Sequence, residues 1–255
     1  MSPITLLSDF GTQDASVAIA HGILLQQIPD AAIINISHDI KPFNTRQAAY
    51  LLSAAWGKFP AGTCHILLFD LFSEKTPRIL VSELDDHYFI TADNTVLPLA
   101  FDPVPKARQF STLQSGQSFA DWVKEAARAA TYPKQGLATL PEHSLKTGQQ
   151  KPLQMIGNEI NCEVIHIDHY ENVVLNITRD QFNNYVQGRN FTLHFAQIED
   201  ISEISDNYAD VRPGIKLCRF NSAGYMEICV NRGNAASLFG LRIGSRNNGI
   251  KIIFE

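Results

Sequence analysis

Between residues 4 and about 130 the chain alternates short, continuously apolar runs with longer runs of helical period, and this alternation restricts its fold more than any other feature. The runs "ITLLS", "AAIINIS" and "CHILLFD" read as strands, the last apolar enough to be covered on both faces. Between them, "VAIAHGILLQQI" and "TRQAAYLLSAAWGKF" read as helices, the second with Thr45 as its N-cap. Strand, helix, strand, helix, strand is the order of a mostly parallel sheet with helices packed against it. "RILVSEL" and "HYFITA" then read as an antiparallel pair turned at "DD", and "SFADWVKEAARAATY" as the last helix of an α/β domain covering residues 1–130.

Residues 131–158 contain three prolines and no sustained period, the composition of an interdomain connection. From 159 to 255 the chain is strand-like almost throughout, in "CEVIHIDHY", "VVLNIT", "NFTLHFA", "IKLCRFN", "YMEICV" and "GIKIIF". These predict a smaller, all-β, barrel-like domain.

With 255 residues and 45% hydrophobic content, both domains can build a core. Twenty-one Lys and Arg against 26 Asp and Glu leave a net charge of −5, which gives no field for a polyanion, so no nucleic acid partner is expected. No eighteen apolar residues follow one another, and "MSPITLLSDF" lacks the charged start of an export signal; the reading is a cytoplasmic protein with no membrane partner. Cys64, Cys162, Cys218 and Cys229 lie far apart and read as buried thiols. No metal is expected. Strand alternation puts His166 and Asp168 on one face and His169 on the other, leaving two ligands where a catalytic zinc takes three.

Ligands of open α/β sheets bind at the carboxyl ends of the strands. Asp9, Asp14, Asp39 and Asp70 all follow strands and can converge there. For Asp14, ligand contact and capping of the next helix at Ser16 or Val17 are both open. The glycine of "DFGT" allows a turn, but neither a dinucleotide fingerprint nor a phosphate loop with its lysine occurs, which removes phosphoryl transfer. Asp168 suits either a hydrogen-bonded pair with His166 or a contact to a polar ligand group. In "FNSAGYMEICV", Asn221, Ser222 and Gly224 fit a tight strand connection, and Tyr225 offers a ring to a purine; a plain hairpin explains the stretch equally.

Taken together, "LLSDFGTQDASVAIAHGIL", "PDAAIINISHDIKPFNTRQAAYLL", "FPAGTCHILLFD", "ADNTVL", "VIHIDHYENVVLNI", "YADVRPG" and "NSAGYMEICVNRGNAA" resemble, in order and spacing, the S-adenosyl-L-methionine hydroxide adenosyltransferase family. That family is similar to the fluorinating and chlorinating enzymes that act on the same substrate. The resemblance implies an α/β domain followed by a β-barrel-like one, and a homotrimer whose sites lie between the first domain of one subunit and the second of the next. It implies S-adenosyl-L-methionine as substrate or ligand, no separate cofactor, and displacement at the ribose C5′ with methionine leaving. Asp14 would face the ribose diol with Phe43 beside the ligand. Asp168, Tyr170, Asn172 and Ser222 would come from the neighbour, Asp168 toward the ammonium and Tyr170 or Tyr225 near the base.

The resemblance puts Asp70 where hydrolytic members position the attacking water, with an arginine and a histidine as partners. Here the pattern departs. "LFSEK" replaces Pro-Gly-Val-Gly, Pro77 occupies the arginine position with Arg78 one residue later, Thr95 replaces a glycine, and Ser115 stands where the histidine belongs. Glu171 replaces a glycine between Tyr170 and Asn172 and adds bulk where substrate would approach. Three readings follow: an adenosyl-binding protein with lost or altered catalysis, an active hydrolase using Asp70 and Arg78, or a structural or regulatory oligomer.

Overall fold

The computed structural model describes residues 2–132, 134–147, 153–196, 198–244 and 249–255, so the expected connection lies partly outside the described residues, at 133 and 148–152. The chain divides into two compact units, Met1–Gln149 and Gln150–Glu255.

The first unit runs β1 (Ile4–Ser8), α1 (Ser16–Gln27), β2 (Ile33–Ser37), α2 (Thr45–Ala55), β3 (Cys64–Leu68), β4 (Arg78–Leu84), β5 (His87–Thr91), α3 (Val96–Ala100), β6 (Ala107–Thr112), α4 (Phe119–Thr131), α5 (Lys134–Leu137) and β7 (Glu142–His143). Its sheet has the order β2-β1-β3-β5-β4-β6-β7. The first four strands in that order are parallel, whereas β4, β6 and β7 pair antiparallel. Alternate residues feed two cores. Ile4, Leu6, Ile66 and Leu68 pack with Trp122 and Val123 of α4, while Leu7, Leu67 and Phe89 pack with Ala48 and Leu52 of α2 and Val96 of α3. This is why the β1 and β3 runs carry no polar face: each buried Leu or Ile contributes about 1.5–3 kcal/mol, and water reaches neither side.

Helix α2 is capped one residue earlier than Thr45: the Asn44 side chain accepts the Gln47 N–H at 3.1 Å, and Thr45 is already helical. The β4–β5 turn uses Asp85 and Asp86 at φ +49° and +60°, the two-residue turn that matches strand twist. Residues 134–147 pack on the first unit. Leu137 is buried, β7 pairs with β6, and Arg108 Nη1 donates to the Leu140 carbonyl at 2.8 Å.

The second unit contains β8 (Met155–Ile156), β9 (Glu159–Asn161), β10 (Val164–Ile167), β11 (Val173–Thr178), α6 (Arg179–Val186), β12 (Phe191–Phe195), β13 (Glu199–Ile201), β14 (Lys216–Phe220), β15 (Tyr225–Val230), α7 (Ala235–Phe239) and β16 (Lys251–Phe254). They form two antiparallel sheets, β10-β11-β15-β14 and β13-β12-β16-β9-β8. The all-β expectation fails at α6 and α7. At α6 the Thr178 hydroxyl accepts the Gln181 N–H and the Gln181 side chain accepts the Thr178 N–H, a reciprocal cap that starts a helix, and Phe182 anchors it in the core. Simple alternation in β10 also fails, because a bulge between Val164 and His166 buries Val164 and Ile165 together. All four cysteines are buried free thiols.

Candidate functional site

The carboxyl ends of β1 and β3 and the loop after β2 open into a cleft of about 580 Å³. Asp9 and Phe10 come from the first loop, Pro42 and Phe43 from the second, Asp70, Leu71 and Phe72 from the third, with Ser16 of α1 and Phe119 of α4 completing the wall. Two hydrogen bonds hold the loops together: the Asp9 side-chain Oδ2 accepts the Phe43 N–H at 3.0 Å, and the Gly11 N–H donates to the His38 carbonyl at 2.8 Å. Gly11 sits at φ +71°, a conformation glycine adopts without strain. Phe43 is 77% exposed and Phe72 47%, while Phe10 and Phe119 meet edge to face at 5.4 Å. The described lining thus has two carboxylates, four phenyl rings and no cationic side chain.

Asp70 has φ +49°. The preceding carbonyl, of Phe69, accepts a hydrogen bond from buried Asn94 at 2.7 Å, which fixes the end of the strand. Burial first and Asp9 second push the Asp70 carboxyl above its usual range, against Lys146 and the Ser73 hydroxyl, which pull it down. Asp14 is exposed beside the cleft and accepts the Ser16 N–H at 2.8 Å; its bonds with the Ser16 backbone and side chain lower its pKa. The capping role is therefore present, and through Ser16 it fixes a residue of the cleft wall.

In the second unit, Asp168 and Asn172 close the β10–β11 hairpin. Asp168 accepts the Asn172 backbone N–H at 2.8 Å and its side-chain amide at 2.9 Å. That amide also donates to the Tyr208 hydroxyl at 3.2 Å, which in turn donates to buried Glu227 at 3.1 Å, with Arg219 3.7 Å away. Burial raises the Glu227 pKa, and burial followed by Glu227 pushes Tyr208 up to about 12. Tyr170 projects from the hairpin tip, 75% exposed. Ser222 and Tyr225 are elsewhere. They belong to the β14–β15 turn, where Asn221 accepts the Ala223 and Tyr225 N–H groups and Gly224 takes φ +80°. Because Val173 pairs with Ile228 and Thr178 with Tyr225, this turn lies at the other end of the sheet, about 17 Å along β11.

Residues 4–138 match the SAM hydroxide adenosyltransferase N-terminal domain and residues 162–247 match the corresponding C-terminal domain. The chain belongs to the SAM hydroxide adenosyltransferase family. Curated relatives include an (R)-S-adenosyl-L-methionine hydrolase of Thermus thermophilus, 26% identical over 96% of this chain and 98% of the relative. Another, of the same description, is from Methanocaldococcus jannaschii, 27% identical over 93% and 92%. Among solved structures, an uncharacterized conserved protein from Thermotoga maritima superposes with a TM-score of 0.82 at 24% identity, covering 98% of this chain and 99% of that one. A conserved hypothetical protein from Thermus thermophilus has a TM-score of 0.71 at 25% identity over the full length of both.

The departures from the family pattern have local causes. Arg78 begins β4 and pairs with Glu74, not Asp70. Glu74 also receives the Lys146 ammonium at 2.7 Å. Ser115 is exposed in the turn before Ser118, which caps α4 through Asp121. Thr95 and Glu171 adopt φ +66° and +61°, so both keep the left-handed backbone that a glycine would take freely. Glu171 turns to α7, where its carboxylate accepts the Ser237 N–H at 2.8 Å and its carbonyl the Ala236 N–H at 3.0 Å; bonds to Ser237 and Asn234 lower its pKa. Sequence reasoning missed Phe10, Phe72, Phe119 and Lys146. Phe119 gave a signal only as part of an apolar helix face, Phe10 and Phe72 lie in loops that lead to this edge without a signal of their own, and Lys146 lies in an aperiodic stretch that gave none. Among the described residues, no group of three or more His, Cys, Asp and Glu is arranged to hold a metal ion, and no helix is long and apolar enough to cross a membrane.

Proposed function

We propose that the protein binds S-adenosyl-L-methionine or a close adenosyl analogue in the β1–β3 cleft and turns it over by an altered version of the family's hydrolysis. The observation that carries this is the lining: two carboxylates and four aromatic rings without a lysine or arginine suit a ligand with a flat base and a cationic sulfur. The same lining disfavours phosphorylated nucleotides, whose charge would meet Asp9 and Asp70. Relatives across nearly the whole chain bear the description (R)-S-adenosyl-L-methionine hydrolase, which supports the substrate class.

In the reaction, a water oxygen attacks the ribose C5′, the C5′–S bond breaks with its electron pair going to sulfur, and the water proton passes to Asp70 and then to solvent. Adenosine, methionine and a proton result. Sulfonium sulfur is already a good leaving group, so the protein chiefly aligns water and substrate. A carboxyl raised by burial is a better base than an ordinary aspartate, which favours Asp70 in this role. Asp14 serves the ribose diol and Phe43 the base or ribose. Asp168, Tyr170 and Asn172 complete the site from a neighbouring subunit of a cytoplasmic homotrimer, in which residues 1–130 and 159–255 form an α/β and a barrel-like domain. Ser222 and Tyr225, at the far end of the sheet, are not part of that set.

A second reading, binding without turnover, is favoured by the pairing of Arg78 with Glu74 and the exposure of Ser115. Calorimetric titration with S-adenosyl-L-methionine, then chromatography of the same sample for adenosine, separates the two. Absence of binding rejects the cleft assignment; binding without adenosine leaves the second reading. Light scattering at a monomer mass near 28.4 kDa would reject the trimer.

A further inference from the structure

We propose that Lys146 is a positioning residue for Asp70, supplying beside the end of β3 the positive charge that Arg78, committed to Glu74, does not bring there. The proposal rests on the reading of the cleft given above.

Two tethers place Lys146. Its backbone N–H donates to Asp93 Oδ1 at 2.9 Å, while Asp93 Oδ2 meets His143 Nε2 at 2.8 Å. Its ammonium lies 2.7 Å from Glu74, four residues after Asp70 in the same loop. The neighbour of Asp93, Asn94, holds the Phe69 carbonyl immediately before Asp70. One short segment, Asp93–Asn94, therefore anchors both the strand end that presents Asp70 and the stretch that presents Lys146.

The cation has a task there. Asp70 is partly buried and faces Asp9 across the cleft, and both circumstances favour its protonated form, which cannot take a proton from water. The groups acting on it are Asp9 from the loop after β1, Ser73 from its own loop and Lys146 from the segment after β7. Glu74 nearby is shared by Arg78 and Lys146, so these three groups together carry one net positive charge. Lys146 is thus the cation that opposes burial and Asp9 and favours the ionised form of Asp70. Glu74 acts as the holder: with one carboxylate shared between Arg78 and Lys146, a displaced arginine and a new lysine are locked into one arrangement. At roughly half exposure the ammonium is partly screened, so its influence is moderate and depends on salt.

The test uses the full chain. Side-chain carboxyl carbons of aspartate are followed by NMR against pH, with Asp70→Asn assigning the Asp70 signal, in wild type, Lys146→Met and Lys146→Arg. The Asp70 midpoint should rise by about half a pH unit or more in Lys146→Met and return toward wild type in Lys146→Arg. A midpoint that stays put in Lys146→Met overturns the proposal, as does failure of Lys146→Arg to restore it. The same three proteins are titrated with S-adenosyl-L-methionine and assayed for adenosine across pH. The affinity should hold within about threefold while the acid limb of the rate profile moves to higher pH in Lys146→Met. Wild type that binds but releases no adenosine would defeat the hydrolytic reading alone, since the carboxyl titration still judges Lys146.

Discussion

Lowering the pH should destabilise this protein through a histidine buried far from the cleft. His65 on β3 is fully buried, takes Thr5 Oγ1 at 2.7 Å on Nδ1, meets His87 Nδ1 at 3.0 Å through Nε2, and stacks on Phe89 at 5.0 Å. With the Thr5 hydroxyl donating to Nδ1 and Nε2–H donating to His87, the chain is satisfied when both rings are neutral. Protonation would place charge in a dry site beside a second imidazole. Burial first and His87 second accordingly lower the His65 pKa from 6.5 to about 3. The unfolded chain takes up this proton below pH 6.5 and the folded one does not, so the stability is whole above pH 6.5 and drains away as pH falls toward 3. From pH 7 to 4.5 the loss is about 1.36 kcal/mol for each of two pH units, or roughly 2–3 kcal/mol, a large part of a typical folding free energy. Urea unfolding of wild type and His65→Phe at both pH values measures it. The variant strands Thr5 and His87 and should start about 1–3 kcal/mol lower at pH 7, yet its drop to pH 4.5 should be smaller by roughly 2–3 kcal/mol. Equal drops in the two proteins would refute the argument, as would an imidazole nitrogen signal of His65 that titrates near pH 6.5.

Asp14→Asn keeps a cap for the Ser16 amide but removes the charge, so the melting temperature should stay close to wild type while S-adenosyl-L-methionine affinity, by calorimetry, falls about tenfold or more; unchanged affinity would take Asp14 out of the site. Asp70→Asn should bind within about threefold of wild type and lose most adenosine release, and undiminished release would remove Asp70 from the chemistry. Glu171→Gly relieves a left-handed backbone but releases α7, and because the side chain points to Ser237 the affinity should change less than about threefold. Tenfold tighter binding in that variant would show that Glu171 obstructs the ligand after all.

The sequence by itself determined most of the longer strands, though not β6, the order of the two units and the family. β1 and β3 were legible because parallel strands buried on both faces are mostly apolar, Thr5 and His65 being admitted by bonding each other, and the antiparallel strands β4 and β5 because two aspartates tolerate the turn between them. Even Asp14 was legible as a cap, since that contact spans two residues. The helix α6 had a local signal, Thr178 and Gln181 three apart, overshadowed by the strand-forming residues on either side. Only tertiary structure decided the rest. That Arg78 meets Glu74, that Lys146 is tied to Asp93 and acts on Asp70, that Glu171 serves α7, and that His65 pairs with His87 all depend on partners between four and 76 residues apart. So does the placing of Ser222 and Tyr225 at the far end of the sheet from Asp168, which antiparallel register imposes. Charge and hydrogen bonding act over a few ångströms in space, and a one-dimensional pattern records which groups are available without recording which of them the fold brings within that distance.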